Sequence, residues 1–365
     1  MKTISVKTEG GHYQILIGHG IIGQLGRKCK GLKLGRQVVI VADESVGKLY
    51  AESISKVLVS EGFEVTTVIS LGGENNKNLD GLEPIYGHLI SSGVDRTGWI
   101  LALGGGIIGD MAGFVAASYL RGIRYIHVPT TIVAQVDSSI GGKTGVNHSL
   151  GKNLIGAFYQ PQLVFMDTDL LRSLPQGEIK AGLAEVVKHA LIRDPELFEF
   201  LEIEIENVIK MQITPSQLDW LIERNAKIKV EIVSTDERES GLRAILNYGH
   251  TIGHAIEATT NYKKYRHGEA VILGALAVAH ISASRGLMSA RERLRHDSLW
   301  ERLGIPKGLK DVDSREIFLR TRNDKKRVDG VVRYILAEAV GKVSIYDDVS
   351  EKNVIDAIRY VKETY

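Results

Sequence analysis

Short apolar runs alternate with longer amphipathic stretches through the first 130 residues. Residues 38–42 form a continuous β-branched run that ends at Asp43, which is typical of a strand covered on both faces. Further strands are predicted at 63–69, 99–103 and 125–128, with helical stretches between them. Strands separated by helices of this length predict a parallel sheet built by right-handed crossovers.

Two other patterns flank this region. Residues 4–7 and 13–17 surround Glu9-Gly10-Gly11, which predicts a β-hairpin. The glycine-rich span 130–156 has few regular signals, and we interpret it as the wall of a cleft between two domains.

Helical periodicity dominates after about residue 165. It predicts helices at 178–192, 220–234, 250–258 and 269–284. The most apolar stretch, 270–279, is too short for a membrane span and is expected to be a buried core helix.

Composition narrows the classes of function. A net charge of +2 gives no reason to expect nucleic acid or a membrane as a partner. The single Cys29, which lies between two lysines, excludes an intramolecular disulfide and a thiolate metal cluster, and we expect it to be an exposed bystander. The first residues lack the apolar core of a signal peptide, so a cytoplasmic protein is expected.

A glycine-rich turn follows the strand predicted at 99–103. The run from Gly104 to Gly109 matches G-x-G-x-x-G and opens a predicted helix. Such glycines let the backbone approach a pyrophosphate at the helix N-terminus, although a tight turn alone would also use them. Asp43 and Glu44 at the end of another strand would repel a 2′-phosphate, so NAD is favoured over NADP.

Histidines and one buried acid indicate a metal site. His250 and His254 are four residues apart on one face of a predicted helix, and His267 follows thirteen residues later. Zinc favours three imidazole or carboxylate ligands and an open position. The Glu of H-E-x-x-H is missing, which argues against a metalloprotease. Glu185, on an apolar helix, is the best carboxylate candidate, although a simple pair with Lys188 would also explain it.

Basic and polar residues gather between positions 137 and 153. They include Asp137, Lys143, Lys152 and Asn153. GGKT at 141–144 resembles the end of a Walker loop, but the upstream glycine is missing. Lysines on glycine-bounded loops suit phosphate or carboxylate groups, so an anionic substrate is expected.

Further polar groups follow towards the C-terminus. Arg243 and Asn247 shortly precede His250 and add donors near the expected metal. Lys325-Lys326-Arg327 is expected to be a solvated run unless the fold returns it to the cleft.

The predicted fold class is an α/β N-terminal dinucleotide-binding domain with a parallel sheet, followed by a mostly α-helical C-terminal metal-binding domain. Because 365 residues exceed one ordinary core, we expect two domains. The NAD-binding domain is placed at 1–170 and the metal- and substrate-binding domain at 171–365, with the active site in the cleft between them.

Several long segments together resemble the 3-dehydroquinate synthase family. Asp43-x-Ser45, GGENNK at 72–77 and DKK at 324–326 also match, so the resemblance covers almost the whole chain. The long segments, in the family's order, are GGGIIGDMAGFVAASYLRGIRYIHVPTT, VDSSIGGKTGVNHSLGKNLIGAFYQP, AEVVKHALI, DERESGLRAILNYGHTIGHAIE and RHGEAV.

The resemblance implies roles residue by residue. The implied ligands of one divalent metal, zinc or cobalt, are Glu185, His250 and His267, which makes His254 a hydrogen-bonding or acid–base group instead. The implied NAD contacts are Asp43, Ser45 (Asn in many relatives), Glu74, Lys77, Gly105, Gly106, Ile107, Asp110, Thr130, Thr131, Lys143, Lys152, Leu170 and Ser173. The implied substrate and catalytic groups are Asp137, Lys143, Lys152, Asn153, Lys188, Lys229, Glu239, Arg243, Asn247, His254 and one of Lys325 and Lys326. Arg121 is implied to reach the neighbouring subunit's site, and therefore a homodimer is implied.

The resemblance also implies a reaction, that of a phosphorus–oxygen lyase. 3-Deoxy-D-arabino-heptulosonate 7-phosphate would be oxidised transiently by NAD⁺, lose phosphate by β-elimination, be reduced again and close by an internal aldol step. Three alternatives remain. They are a different sugar phosphate cyclase of the 2-deoxy-scyllo-inosose synthase type, an NAD-dependent polyol or glycerol-phosphate dehydrogenase, and a non-enzymatic NAD-binding module. Lys143, Lys229 and Arg243 argue against the first, the many anion-binding lysines against the second, and the metal residues against the third.

Overall fold

Seven strands of the described residues form one sheet. The computed structural model describes residues 1–239, 241–322 and 332–365. The sheet order is β1-β2-β9-β6-β5-β3-β4, with β1 antiparallel to β2 and the other pairs parallel. The predicted hairpin and parallel sheet are therefore confirmed. The strands are β1 (Lys2–Thr8), β2 (Gly11–Gly18), β3 (Gln37–Asp43), β4 (Glu64–Ser70), β5 (Trp99–Gly104), β6 (Arg124–Pro129), β7 (Lys143–His148), β8 (Gly151–Phe158), β9 (Leu163–Asp167), β10 (Tyr334–Ala339) and β11 (Lys342–Tyr346).

Helices connect these strands and make up most of the second half of the chain. The four helices predicted after residue 165 are all present, with ends shifted by a few residues. The α-helices are α1 (Leu25–Gly31), α2 (Glu44–Val46), α3 (Glu52–Val59), α4 (Leu79–Ser91), α5 (Gly106–Ser118), α6 (Gln176–Arg193), α7 (Pro195–Ile209), α8 (Pro215–Thr235), α9 (His250–Thr259), α10 (His267–Ser284), α11 (Ala290–Leu303), α12 (Ser314–Thr321) and α13 (Glu351–Thr364).

The central strand β5 explains why the apolar runs are continuous. Trp99, Leu101 and Leu103 pack into a core on one face of the sheet, whereas Ile100 and Ala102 pack into a core on the other. A parallel strand covered on both faces has no solvent-facing position that would select polar residues. The expectation for Cys29 was wrong, because its thiol is buried in the first of these cores, and this burial raises its pKa to about 12.

The chain divides into two compact units, each built from two segments. The first unit contains Met1–Leu174 and Thr214–Glu237, and the second contains Pro175–Ile213 and Arg238–Tyr365. The unit boundary at 174 lies close to the expected one at 170. Helix α8, however, belongs to the first unit, whereas the sequence pattern placed it in the second domain.

Contacts of α8 within the first unit explain this difference. Its Glu223 accepts from Lys2 Nζ at 2.5 Å, and its Asp219 accepts from Thr168 Oγ1 at 2.6 Å. The helix also packs along β1 and against the turn Ala134–Ser138. Helical periodicity reveals that a helix has an apolar face but not which core buries it.

The glycine-rich span contains a hairpin that the sequence pattern did not predict. Strands β7 and β8 pair antiparallel, with Lys143 opposite Phe158. A Cβ atom on Gly145 would lie 2.4 Å from the Ile155 carbonyl oxygen, and one on Gly156 would lie 2.1 Å from the Thr144 oxygen. These glycines allow two backbones to approach closely, and they remove the apolar alternation that identifies a strand.

Helix α10 is central to the second unit. It packs against α6, α9, α13 and strand β10. Among the described helices, α10 is the one that is long and apolar enough to cross a membrane. However, 72% of that stretch is buried inside the protein. The prediction of a buried core helix is confirmed. The hairpin β10–β11, in contrast, was not anticipated in this mostly helical unit.

Candidate active site

The glycine turn lies where β5 ends and α5 begins. Gly104 O accepts from Thr130 N at 3.0 Å, which joins the ends of β5 and β6. A Cβ atom on Gly105 would lie 3.0 Å from Thr131 Cγ2, and one on Gly106 would lie 2.9 Å from Ser138 Oγ. The N-terminus of α5 is therefore bare backbone, which is the arrangement that accommodates a pyrophosphate.

The third glycine of the motif has a packing role. A Cβ atom on Gly109 would lie 2.1 Å from His127 Cε1, so the helix approaches β6 more closely than any side chain would allow. His127 is buried, and this burial lowers its pKa to about 4 despite an opposing hydrogen bond to the Gly104 backbone. The ring is therefore neutral at physiological pH.

Buried hydroxyl groups next to the glycine turn indicate whether a dinucleotide would fit there. Among the described residues, Thr130 Oγ1 and Ser138 Oγ are buried without a hydrogen-bond partner. Unpaired buried hydroxyls are costly unless a ligand or water completes them. The bare backbone and these two hydroxyls therefore fit the phosphates of NAD. Ser138 was not among the predicted residues, and its place between Asp137 and Ser139 was the available signal.

Several other predicted NAD residues lie on the same unit. Asp43 ends β3 and accepts from Val46 N at 3.0 Å, which caps the short helix that contains Ser45. Thr131 Oγ1 accepts from Ala134 N at 3.1 Å. Leu170 lies in the core, and Ser173 Oγ donates to its carbonyl at 2.9 Å. These last two side chains therefore have structural contacts of their own.

Lys77 connects the helix after the glycine turn to the β7–β8 hairpin. Its ammonium group pairs with Asp110 and donates to Asn153 Oδ1 at 2.7 Å. Burial raises the pKa of Asp110, whereas the charge of Lys77 opposes this shift. Asn153 has a φ of 52° and donates its backbone N–H to Asn147 Oδ1 at 2.8 Å. The predicted residues Lys77, Asp110 and Asn153 are thus brought together.

The same hairpin positions further predicted groups. Glu74 Oε1 accepts from Asn147 Nδ2 at 2.8 Å and lies 3.7 Å from Lys152 Nζ. Lys143, at the start of β7, is exposed. Glu74 and Asn147 also line a polar basin of about 410 Å³, whose walls are Glu74, Asn75, Lys77, Asn78, Leu79, Asp80, Asn147, His148 and Ser149.

Asp137 and Lys229 form an ion pair in the first unit. Asp137 lies on the turn after β6, and Lys229 extends from α8. The lysine side chain is 9% exposed and the aspartate 27% exposed, so the pair is partly shielded from water. The return of α8 to this unit is what brings the two predicted residues into contact.

In the second unit, Glu185 faces two imidazoles. Its Oε1 lies 3.5 Å from His250 Nε2 and 3.6 Å from His267 Nε2. Its other oxygen pairs with Lys188. Oε1 is buried and, among the described residues, has no hydrogen-bond partner. An anionic oxygen left open between two ring nitrogens fits a divalent cation, because imidazole and carboxylate are the donors that zinc prefers.

The other nitrogens of these histidines are held by the protein. His250 Nδ1 lies 3.1 Å from the Tyr248 carbonyl oxygen, and His267 Nδ1 lies 3.2 Å from Glu257 Oε2. Hydrogen bonds of this kind favour a proton on Nδ1, which leaves Nε2 able to bind a metal. Glu257 was missed in the sequence analysis, although a glutamate among apolar residues seven positions after His250 was a signal.

His254 also approaches the two histidines. Its ring centroid lies 5.2 Å from that of His250 and 5.6 Å from that of His267. Potential ligand atoms of the three imidazoles all lie within 4.8 Å of one another. Two ligand sets are therefore compatible with this geometry, one that uses Glu185 and one that uses His254.

Electrostatics distinguish the charge states in this cluster. Burial acts against ionisation of Glu185, but the charge of the nearby Lys188 holds its pKa well below the usual range. Burial and the charge of Lys188 lower the pKa of His250, so its ring is neutral. Burial also opposes protonation of His267, but the nearby carboxylates of Glu185 and Glu257 raise its pKa to about 9. The two carboxylates thus favour a positive charge at His267, and a bound cation could supply that charge in place of the proton.

Three further predicted residues, Glu239, Arg243 and Asn247, belong to the second unit. Arg243 is buried, and Asn247 Nδ2 donates to Glu239 Oε1 at 2.7 Å in the same unit. Glu239 has a φ of 60°. Arg121 is exposed, with a φ of 65°, after the end of α5. Lys325 and Lys326 lie outside the described residues.

Comparisons with known proteins agree with these features. Models of the 3-dehydroquinate synthase N-terminal and C-terminal domains match residues 67–181 and 182–327. The 3-dehydroquinate synthase of Rippkaea orientalis is 45% identical over 353 residues, which is 96% of each chain.

Two solved structures are also similar. A 2-deoxy-scyllo-inosose synthase complexed with carbaglucose-6-phosphate, NAD⁺ and Co²⁺ is 29% identical, with a TM-score of 0.88 over 98% of this chain and 100% of that one. The 2-epi-5-epi-valiolone synthase of Streptomyces hygroscopicus, with NAD⁺ and Zn²⁺ bound, is 25% identical, with a TM-score of 0.90 over 99% of each chain.

Proposed function

Because the chain belongs to the 3-dehydroquinate synthase family, we propose that it converts 3-deoxy-D-arabino-heptulosonate 7-phosphate to 3-dehydroquinate and phosphate. The observation that carries this proposal is the approach of Glu185 Oε1 to the Nε2 atoms of His250 and His267, at 3.5 and 3.6 Å. A cation held by these three residues would keep a coordination position for a substrate oxygen, as catalytic metal sites require.

The cofactors supply the chemistry that side chains lack. When bound, NAD⁺ would provide a transient hydride acceptor and the divalent metal would provide a Lewis acid for the reacting oxygen. The backbone N-terminus of α5, with Thr130 and Ser138, would hold the phosphates of NAD. Glu185, His250 and His267 would hold the metal.

Side chains around the metal residues keep them in the reactive state. Lys188 pairs with the second oxygen of Glu185, so the carboxylate remains an anion and can serve as a ligand. Its ammonium group is buried, which makes it a strong local charge for a substrate anion as well. His254, outside the proposed ligand set, would accept or donate a proton close to the metal.

Basic side chains support a substrate that carries both a carboxylate and a phosphate. Arg243, with its planar guanidinium, suits the carboxylate of the heptulosonate. Lys143, Lys152 and Lys229 suit the phosphate, whose departure needs compensation of negative charge. A substrate with both groups would use these cations, whereas a hexose phosphate has no carboxylate for Arg243 to bind.

One assay tests the proposal. Purified protein would be incubated with the heptulosonate phosphate, a catalytic amount of NAD⁺, and zinc or cobalt. Inorganic phosphate and 3-dehydroquinate are expected to accumulate together over many turnovers, without net NADH. Stoichiometric NADH would indicate a simple dehydrogenase, and an absence of phosphate release would overturn the proposal.

A second substrate separates this activity from that of other cyclases. Glucose 6-phosphate, which lacks the carboxylate, is expected to give no phosphate under the same conditions. The variant Arg243→Lys keeps the positive charge but loses the planar guanidinium. Its KM for the heptulosonate phosphate is therefore expected to rise. Faster turnover of glucose 6-phosphate would favour a 2-deoxy-scyllo-inosose synthase activity.

We further propose that the protein is a cytoplasmic homodimer in which Arg121 contributes to the neighbouring site. Arg121 is exposed, and its left-handed backbone conformation is unfavourable for a residue with a side chain. Strained residues of this kind persist where a function requires them. The buried Cys29, the chain's single cysteine, is consistent with a reducing compartment.

A further inference from the structure

A buried hydrogen-bond network joins α11 to the turn that precedes α9. Tyr248 Oη lies 3.0 Å from His296 Nε2, and Trp300 Nε1 lies 3.0 Å from the same nitrogen. His296 Nδ1 lies 2.6 Å from Asp297 Oδ1, and Arg293 Nε donates to Asp297 Oδ2 at 2.5 Å. Tyr248, His296 and Trp300 are fully buried, so water does not compete for these bonds.

Donor and acceptor rules determine the protonation of His296. The indole nitrogen of Trp300 can only donate, so His296 Nε2 must be an acceptor. The single ring proton therefore lies on Nδ1 and is donated to Asp297, whose charge is balanced by Arg293. Burial lowers the pKa of His296, which agrees with a neutral ring. The Tyr248 hydroxyl lies 3.0 Å from Nε2 and 3.5 Å from the Ala275 carbonyl oxygen, so we assign its proton to the nearer Nε2, whose lone pair it shares with the Trp300 N–H.

Tyr248 is also directly connected to a predicted metal ligand. Its carbonyl oxygen lies 3.1 Å from His250 Nδ1. The intervening Gly249 has a φ of 75°, and a Cβ atom there would lie 2.8 Å from Ala275 N. A Cβ atom on Gly274 would lie 2.0 Å from the Gly249 carbonyl oxygen. This backbone is packed directly against α10, so the Tyr248 ring and carbonyl have little freedom to move separately.

We propose that His296 is a positioning residue for the metal site, which acts by accepting the Tyr248 hydroxyl proton and thereby fixing the carbonyl that orients His250. The inference rests on the proposed function, because it concerns the metal that this function requires. His296 itself touches neither substrate nor metal. Its effect is expected on metal affinity and coordination geometry, which depend on the orientation of ligand imidazoles.

Two substitutions separate the two faces of the imidazole. Asn in His296→Asn places an amide near Nδ1 and keeps the donor to Asp297, but it provides nothing at Nε2. Gln in His296→Gln reaches the Nε2 position with an acceptor oxygen. Tyr248→Phe removes the hydroxyl from the other side of the same bond. Co²⁺ dissociation constants would be measured on metal-free protein by competition with a chelator, together with the visible Co²⁺ absorption spectrum.

The expected result is a difference between these variants. His296→Asn and Tyr248→Phe should weaken Co²⁺ binding by about 10-fold, at the low end of effects from outer-shell ligand partners, and should change the spectrum. His296→Gln should restore most of the affinity. Tyr334→Phe is the control, since it removes a buried hydroxyl of the same unit that lies 3.2 Å from Thr321 Oγ1, and wild-type affinity is expected.

Two outcomes would overturn the inference. One is unchanged Co²⁺ affinity and spectrum in both His296→Asn and Tyr248→Phe. The other is equal weakening by all four variants, Tyr334→Phe included, which would mean a general loss of packing. If wild-type protein binds no Co²⁺, the proposed function fails together with this inference; if it binds Co²⁺ normally and the variants do too, only this inference fails.

Discussion

His267 Nδ1 lies 3.2 Å from Glu257 Oε2, and this contact determines which nitrogen of His267 faces Glu185. Both residues belong to the second unit, and the carboxylate of Glu257 is almost fully buried. A carboxylate behind a ligand imidazole fixes its tautomer and makes it a better electron donor to a metal.

Glu257→Ala should therefore weaken metal binding about 10- to 100-fold, because the ring loses both its orientation and the nearby charge. Glu257→Gln can still accept from Nδ1 through its amide oxygen, so a smaller loss is expected. Chelator competition with Co²⁺ measures both affinities. Wild-type affinity in both variants would show that this contact has no role in metal binding.

The two possible ligand sets make opposite predictions. If Glu185, His250 and His267 hold the metal, Glu185→Gln and His250→Ala should lose it during dialysis. His254→Ala should retain it but lose turnover, because the proposed acid–base group is missing. Metal content by atomic emission and phosphate release are the two measurements. Loss of metal from His254→Ala, with retention in Glu185→Gln, would favour the three imidazoles instead.

Gly109→Ala should destabilise the first unit by about 1–3 kcal/mol, since the added methyl group overlaps the His127 ring. Gly87→Ala in α4 is the matched control, because its Cβ atom would meet nothing within 4 Å. That change should stabilise the helix by about 0.5–1 kcal/mol. Urea unfolding monitors both, and NAD⁺ binding should weaken only in Gly109→Ala. Equal stability of the two variants would contradict the packing role of Gly109.

His127 should make the fold sensitive to acid. An unfolded chain protonates this ring near its ordinary pKa of 6.5, whereas the folded protein does so near 4. Because the unfolded state binds the proton first, the stability from a neutral His127 is present above pH 6.5 and is lost as pH falls towards 4. The loss is about 3 kcal/mol at most. Urea unfolding at a series of pH values should show a shallower decline for His127→Asn than for wild type; parallel curves would rule out this ring as the cause.

Mixing two inactive variants tests the role proposed for Arg121. Arg121→Ala and His250→Ala should each be inactive alone. If Arg121 serves the neighbouring site, each mixed dimer contains one site with both residues intact. About half of wild-type activity per mixed dimer is therefore expected from symmetry, or about a quarter for an equimolar mixture after full exchange. Phosphate release after subunit exchange is the measurement. No recovery, with dimer exchange verified by size and tag capture, would place Arg121 in its own subunit's site or in none.

The parallel sheet could be predicted because each strand has a simple physical signature. Strand β3 is buried on both faces, so residues 38–42 are β-branched or small without interruption. The β7–β8 hairpin has no such signature, because Gly145 and Gly156 serve backbone contact and Lys143 and Asn153 face solvent or polar partners. The position of α8 also required the structure, since Lys2 and Asp137 lie far from it in sequence.

The candidate site, like the fold, could be predicted only in part from the sequence. Spacing alone suggested His250 and His254 as a pair, and Glu185 was recognised as an acid among apolar residues. Spacing did not reveal that the two oxygens of Glu185 serve Lys188 on one side and two imidazoles on the other. Glu257 and His296 act through second partners, and such indirect contacts leave no fixed interval in the chain.

The return of α8 to the first unit has a consequence for synthesis of the protein on the ribosome. The first unit is not complete until Glu237 has emerged, because Thr214–Glu237 belongs to it, although its sheet is finished by Asp167. Meanwhile the nascent chain has already produced Pro195–Ile209, which belongs to the second unit. The surface that α8 covers on the N-terminal sheet therefore stays exposed while about 70 further residues are synthesised. Elongation proceeds at about 5–20 residues per second. That interval of several seconds is a window in which a chaperone would find apolar surface on the growing chain.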